Sequence, residues 1–217
     1  MVEKIEGVKP TRMELLAIRK KKELAKNGHK LLSEKRDALI SRFFEIIDER
    51  MRVREEVREK LKDAYRSLME AELSMGRLKI EGVAREVHEI GEVRISSMNI
   101  MGVLVPRIHW EMREHDEPPY GFLDTTAKLD VYWKKMREAY KSIMKLAELE
   151  STLEMLAKEI EKTKRRVNAL DHIFIPRLEA TEKYIRMVLE EREREDFFRR
   201  KRIKAILMRR QDEERGG

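Results

Sequence analysis

The 217-residue sequence predicts a mainly α-helical chain, in which N- and C-terminal helices form a long antiparallel two-helix coiled coil and a small central insert carries a β-hairpin. Three observations lead there. Charged residues make up 42% of the chain against 41% apolar and 6% aromatic, too polar for a large β-sandwich or a doubly wound α/β core and suited to long solvated helices. Helix breakers are segregated: of nine Gly and five Pro, eight lie between Gly76 and Gly121 and four lie at the chain ends, leaving Gly28 and Pro176 alone elsewhere. Apolar residues on both sides of that central stretch recur at threes and fours, the spacing of a helix-helix seam.

The first segment, 1–75, reads as one helix. Pro10 precedes Thr11-Arg-Met-Glu14, a capping box in which hydroxyl and carboxylate would satisfy each other's backbone N–H. The helix would be about 95 Å long from Thr11 to Met75 at 1.5 Å per residue, and its seam runs through Leu39, Phe43, Ile46, Arg50, Val53, Val57, Leu61, Ala64, Leu68, Ala71 and Met75. The insert, 76–122, combines a short helix with a hairpin: Val93 and Ile95 alternate with polar residues, Ser96 to Asn99 reads as the turn, and Ile100 to Ile108 as the returning strand. The last segment, 123–217, starts near Asp124 as N-cap and continues past Phe198. Its seam includes Leu146, Leu149, Leu153, Leu156, Ile160, Thr163, Val167, Leu170, Phe174, Leu178, Thr181, Ile185 and Val188. Two consecutive four-residue steps, Leu170 to Leu178, enclose Pro176, which predicts a bend or local unwinding near His172. Because the helices flank the insert, they must run antiparallel and bring both termini to one end, with the hairpin at the other.

Charge follows this layout. Lys9 to Arg36 holds ten Lys or Arg against three Glu, and Arg194 to Arg210 holds eight against two acids, so the rest of a chain of net charge +7 is acidic. Either basic segment alone reads as a solvated helix face; both converging on one tip point to binding. Of the partners a basic tip could take, nucleic acid is not expected, since no helix-turn-helix, zinc finger or aromatic stacking motif accompanies the charge, and a membrane surface is disfavoured, whereas an acidic protein cavity suits both the cations and the interleaved Phe197, Phe198, Ile203, Ile206, Leu207 and Met208. There is no run of 18 apolar residues and no secretory-type leader, so a soluble cytosolic chain is expected. Absence of Cys excludes disulfides, thiol catalysis and thiolate metal sites, and few Asn and Gln suggest a thermophile.

No phosphate loop or HExxH pattern is present, and no cofactor or metal site is expected. His109-Trp-Glu111-Met-Arg-Glu114-His115-Asp116 has metal-binding residue types but matches no established spacing and reads as a polar loop. His88 beside Glu86 and Glu89 is weaker, and His29 and His172 read as packing or hydrogen-bonding residues within helices. Gly28 is either tolerated mid-helix or marks the close approach of another backbone. A second stripe, Ile40, Phe44, Ile47 and Met51, widens the apolar face beyond what a two-helix seam needs, and Ile173 and Ile175 widen the returning helix. It is either local core or a docking face for a third element.

Three motifs carry a resemblance. Pro10-Thr-Arg-Met-Glu-Leu-Leu16 is followed by Gly28-His-Lys-Leu-Leu-Ser-Glu-Lys-Arg-Asp-Ala-Leu39; the insert holds Asn99-Ile-Met-Gly-Val-Leu-Val-Pro106; and Arg165-Arg-Val-Asn-Ala-Leu170 precedes Ile175-Pro-Arg-Leu178 and Tyr184-Ile185. Over nearly its whole length the chain resembles the D subunit of archaeal and vacuolar-type rotary ATP synthases and ATPases, the central rotor shaft. The resemblance implies a non-catalytic subunit that transmits torque between a membrane ion-driven ring and a hexamer of A and B subunits, coupling ATP synthesis or hydrolysis on A to proton or sodium transport. It implies a side partner, the F subunit, a funnel-shaped membrane-side stalk subunit, and a place on the cytoplasmic face of the cell membrane without insertion. The expected hexamer contacts are Lys20, Lys21, Lys22, Lys26, His29, Lys30, Lys35, Arg36, Arg199, Arg200, Lys201, Arg202 and Lys204. The F subunit would dock on Ile40, Phe44, Ile47 and Met51, and the membrane-side or regulatory hairpin would present Val93, Ile95, Asn99, Met101, Val103 and Val105. The alternatives are a non-enzymatic coiled-coil adaptor and a basic nucleic-acid-binding rod.

Overall fold

The computed structural model describes residues 5–87, 91–112, 120–121 and 125–215. Helix α1, Arg12–Met75, starts and stops where the sequence places it. Only half of the capping box forms: the Thr11 hydroxyl accepts the Glu14 N–H at 3.2 Å, while the Thr11 N–H donates to the Lys9 carbonyl at 2.9 Å. The helix stops at Gly76, whose φ of 84° and ψ of 148° belong to a region open essentially to glycine alone, and α2, Arg77–Glu86, begins directly after it.

Strands β1, Gly91–Ile100, and β2, Val103–Met112, pair antiparallel with Ile100 opposite Val103 and Gly91 opposite Met112. The turn is therefore Met101-Gly102, not Ser96 to Asn99. Both turn residues have positive φ, 53° and 86°, the geometry of a two-residue type I′ loop, and glycine at the second position makes that geometry accessible. Asn99 acts from the flank, its Oδ1 accepting the Gly102 N–H at 2.7 Å.

Helix α3, Ala127–Ala169, passes through a π-helical turn, Leu170–Phe174, into α4, Ile175–Arg215. The expected local unwinding ahead of Pro176 takes this form, because a π-turn absorbs an extra residue without ending the helix. It also throws Phe174 outward, so that this expected seam position is 58% exposed. His172 is likewise exposed, with Asp171 at 3.8 Å. The expected N-cap Asp124 lies outside the described residues, and the Leu129 N–H closes the first turn on the Thr126 carbonyl at 2.9 Å.

Packing divides the chain into two compact units that cut across the segments 1–75, 76–122 and 123–217: residues 1–36 with 163–217, and residues 37–162. In the first unit the start of α1 runs antiparallel to α4, with Ile18, Leu178 and Ile185 buried together and Leu15, Tyr184 and Leu189 around them. In the second, Leu39, Ile46 and Leu156 form a core with Val103 and Val105 of the hairpin. A further cluster in that unit gathers Ala71, Tyr120 and Leu129 with α2 residues Ile80 and Val83. Beyond the buried Val53 and Val57, the helix contact narrows toward the Ala71 cluster to small residues: Ala64 and Ser67 of α1 and Ala139 and Ser142 of α3 are buried, while Leu61 and Leu68 are only half-buried. Lys135 Nζ donates to Ser67 Oγ at 2.8 Å and Lys60 Nζ to Ser142 Oγ at 2.9 Å, so long lysine stems cross the narrow seam and satisfy its hydroxyls.

Within its unit the hairpin does not project away from the helices. It folds back along them: Ile108 donates its N–H to Glu148 at 3.0 Å, Trp110 meets Tyr140 at 6.1 Å between ring centroids, and the residues next to the turn reach Leu39. Burial of Val103 and Val105 with Leu39, Ile46 and Leu156 holds it there, since a two-stranded hairpin by itself is only marginally stable in water.

Candidate interaction surfaces

The two basic segments belong to one unit but do not meet side by side. Packing of Ile18 on Leu178 and Ile185 sets an antiparallel register in which Arg12 pairs with Glu193 at 2.5 Å and Lys26 with Glu179 at 2.9 Å. Lys20, Lys21, Lys22, Lys26, His29 and Lys30 therefore lie alongside the part of α4 that precedes Glu193, whereas Arg199, Arg200, Lys201, Arg202 and Lys204 lie past the point where α1 begins. The expected convergence becomes a succession along α4. Residues 190–208 are all exposed, including Phe197, Phe198, Ile203, Ile206, Leu207 and Met208, each about half or more exposed. Lys201 Nζ sits 5.0 Å from the Phe197 ring centroid, holding cation and ring together at the surface.

Part of the first basic segment is used inside the unit. Glu182, only 5% exposed, receives Lys22 Nζ at 2.5 Å, Arg186 Nη2 at 2.7 Å and Arg19 Nε at 3.1 Å. The Lys22 hydrogen bond, against the opposing cost of burial and with help from Arg186 and Arg19, holds its carboxyl down to about 2. Thr181 beside it is fully buried, donates to the Arg177 carbonyl at 2.7 Å and accepts the Ile5 N–H at 3.0 Å, so the segment before α1 is tied to the same place. Sequence reasoning missed Glu182. The signal was present, two Lys/Arg positions one turn apart facing an acid on the returning helix, but it becomes visible only once the register is known.

The stripe on α1 is divided between core and surface. Ile40 and Ile47 are half-buried, while Phe44 is 60% and Met51 53% exposed. Phe44 stands edge-on to Phe43 at 6.1 Å, and Phe43 itself packs against the cluster of Leu39, Val103 and Val105. Ile173 of the returning helix is exposed and Ile175 half-buried. Arg50, the charged seam position, spans to Glu150 through Nε at 3.2 Å and Nη2 at 3.0 Å.

On the hairpin, Val103 and Val105 are core rather than surface, at 8% and 1% exposure. The outward residues are Val93, Ile95, Asn99 and Met101, joined by Leu104. Of the candidate metal cluster, His109 is exposed and engaged with Ser96 Oγ at 2.9 Å through Nε2, while Glu114, His115 and Asp116 lie outside the described residues, as do His88 and Glu89. Among the described residues no group of three or more His, Asp or Glu is placed to hold a metal ion. No helix among them is long and apolar enough to cross a membrane. Gly28 has open space where a Cβ would stand, so among the described residues no backbone approaches it and tolerance accounts for it.

At the α2 end of its unit, a cavity of about 300 Å³ is lined by aromatic and aliphatic residues including Ile80, Val83, Tyr132 and Trp133. Tyr120 donates to Asp130 Oδ1 at 2.8 Å, and burial, then that acceptor, pushes its phenol above the ordinary range.

Comparison with known proteins shows what these surfaces belong to. The sequence pattern of the family described as the ATP synthase D subunit matches residues 14–205. The A-type ATP synthase D subunit of Thermococcus kodakarensis is 48% identical over 203 residues, covering 93% of this chain and 95% of the relative. That of Thermococcus sibiricus is 50% identical over 202 residues, covering 92% and 94%, and that of Methanopyrus kandleri 48% over 206 residues, covering 94% and 89%. With the match running through both long helices and the hairpin, the chain belongs to the family of ATP synthase D subunits.

Proposed function

We propose that the chain is the central rotor subunit of an A-type ATP synthase, passing torque between a membrane ion-driven ring and a catalytic hexamer of A and B subunits. Synthesis or hydrolysis of ATP takes place on A, coupled to proton or sodium movement, and this chain contributes no catalytic group. The complex sits on the cytoplasmic face of the membrane. The observation that carries this reading is the end of α4, where apolar and basic side chains are exposed past the start of α1 and packed into neither unit's core. Such a face suits an acidic, partly apolar cavity, and its screened ion pairs, each worth about 0 to 1 kcal/mol, can be exchanged as the subunit turns. Lys20, Lys21 and Lys30 extend the hexamer contact along the first unit. The F subunit docks on Phe44 and Met51 with Ile40 and Ile47 beneath. The membrane-side stalk subunit meets the α2 end, where Tyr120, Trp133 and Ile80 lie, in place of the hairpin turn.

A chain ending at Asp196 tests this. Among the described residues it removes none that is buried, so the cores around Ile18 and Leu39 are retained and only the exposed end of α4 is lost, while reconstitution with the hexamer yields weakened association or reduced torque in single-molecule rotation. Rotation at full torque with the shortened chain would overturn the assignment.

A further inference from the structure

The hairpin has two unequal edges. A two-residue loop makes Ile100 and Val103 a hydrogen-bonded pair, and alternation along the continuous register makes 98 with 105, 96 with 107, 94 with 109 and 92 with 111 bonded pairs as well. The N–H and C=O groups of Val93, Ile95, Ser97 and Asn99 therefore point away from β2, as do those of Leu104, Pro106, Ile108 and Trp110 on the other side. On the β2 edge the chain blocks pairing: Pro106 offers no N–H, and the Ile108 N–H is taken by Glu148. On the β1 edge nothing comparable stands among the described residues, and positions 92–99 are all exposed.

Exposed edges are ordinarily guarded by charge, proline or a bulge. Here Ile95 to Pro106 is a run of twelve residues without a charge in a chain that is 42% charged, and the β1 strand has neither proline nor bulge. Core burial explains Val103 and Val105 but not Ile95, 72% exposed, or Leu104, 67% exposed, which share one face of the ribbon with Val93.

We propose that the outer edge of β1 receives an extended strand from another subunit of the assembly, extending the hairpin to a three-stranded sheet. The row to be matched is apolar at Val93 and Ile95 and hydrogen-bonding at Ser97 and Asn99. The occupant is an uncharged strand with apolar side chains opposite the first pair and hydroxyl or amide side chains opposite the second. A second copy of this chain fits poorly, because the antiparallel register that pairs all four positions sets Val93 against Asn99 and Ile95 against Ser97. Main-chain bonds supply the affinity and the alternate side chains the selectivity. This strand addition rests on the chain working within a multisubunit ATP synthase and not on its rotation.

Residue-resolved amide hydrogen exchange on the isolated chain and on the purified assembled complex tests it. In the isolated chain the amides of Arg94, Ser96, Met98 and Ile100 exchange slowly and those of Ile95, Ser97 and Asn99 rapidly. In the complex the latter three slow by at least 100-fold, and in a complex carrying Ile95→Lys they return to within about 3-fold of the isolated rate while the four ladder amides remain slow. Rapid exchange of Ile95, Ser97 and Asn99 in the wild-type complex would overturn the proposal. So would their protection in the isolated chain together with dimer formation by sedimentation, which would give the edge to a second copy. Because assembly and rotation are measured separately from these amides, a failed strand addition leaves the rotor assignment standing and a failed rotor assignment leaves the exchange result intact.

Discussion

Replacing Glu182 by Gln isolates the polar knot that joins α1 to α4. The carboxylate is 5% exposed and holds Lys22, Arg186 and Arg19 within 3.1 Å. A carboxyl depressed from 4.5 to about 2 corresponds to roughly 3 kcal/mol at about 1.4 kcal/mol per pH unit. Arg19 and Arg186 are about half exposed, so solvent screening brings the expected loss nearer ~2 kcal/mol. The sign follows from proton uptake: between pH 4.5 and 2 the unfolded chain binds the proton and the folded chain does not, so this stabilisation is complete above about 4.5 and fades as pH falls through about 2. Urea unfolding followed by circular dichroism should show Glu182→Gln less stable by about 2 kcal/mol at pH 7, equivalent to ~4–8 °C in Tm for a chain of this size. The difference from wild type should shrink as the pH falls from about 4 to about 2. Equal stability at pH 7, or a gap that persists unchanged at pH 2, would refute the reasoning, because the first means the cations repel as much as they bind and the second means the loss is packing.

Gly28→Ala should stabilise the isolated chain by about 1 kcal/mol, since the added methyl meets open space and helix propensity improves; a lower Tm would show a clash instead. Val105→Asp, placing an uncompensated carboxylate at a 1% exposed site, should cost about 3 kcal/mol or more in chemical denaturation, while Leu104→Asp next to it stays within about 0.5 kcal/mol. Comparable losses from both would mean the hairpin does not dock through its Val103 and Val105 face. Phe44→Glu combined with Ile47→Lys should abolish binding of the F subunit in a pull-down while helix content and the thermal transition of the isolated chain persist. Unfolding of the double variant, or F binding at wild-type affinity, would place the docking site elsewhere.

Local chemistry made much of this protein legible in its residues. Segregated glycine and proline marked α1 down to Met75, because a residue with the φ and ψ of Gly76 has essentially one candidate. The clash of a proline ring with the preceding turn marked the π-turn before Pro176, and the seam spacing marked Leu39, Ile46, Val57, Leu156 and Ile185 as core. Each of these effects acts within a few residues along the chain. The tertiary structure decided whatever depends on which residues face one another across the two helices. Register turned Glu182 into a buried acid, drew Lys22 and Lys26 into intramolecular pairs, and set Arg199 to Lys204 past the start of α1 instead of beside Lys20. Burial of Val103 and Val105 on Leu39 and Leu156 folded the hairpin back and, among the described residues, left the β1 edge exposed. A repeat of threes and fours is satisfied by any slide of one helix along the other through whole turns, so periodicity names the buried face and leaves the choice among registers to side-chain volume and charge pairing across the seam.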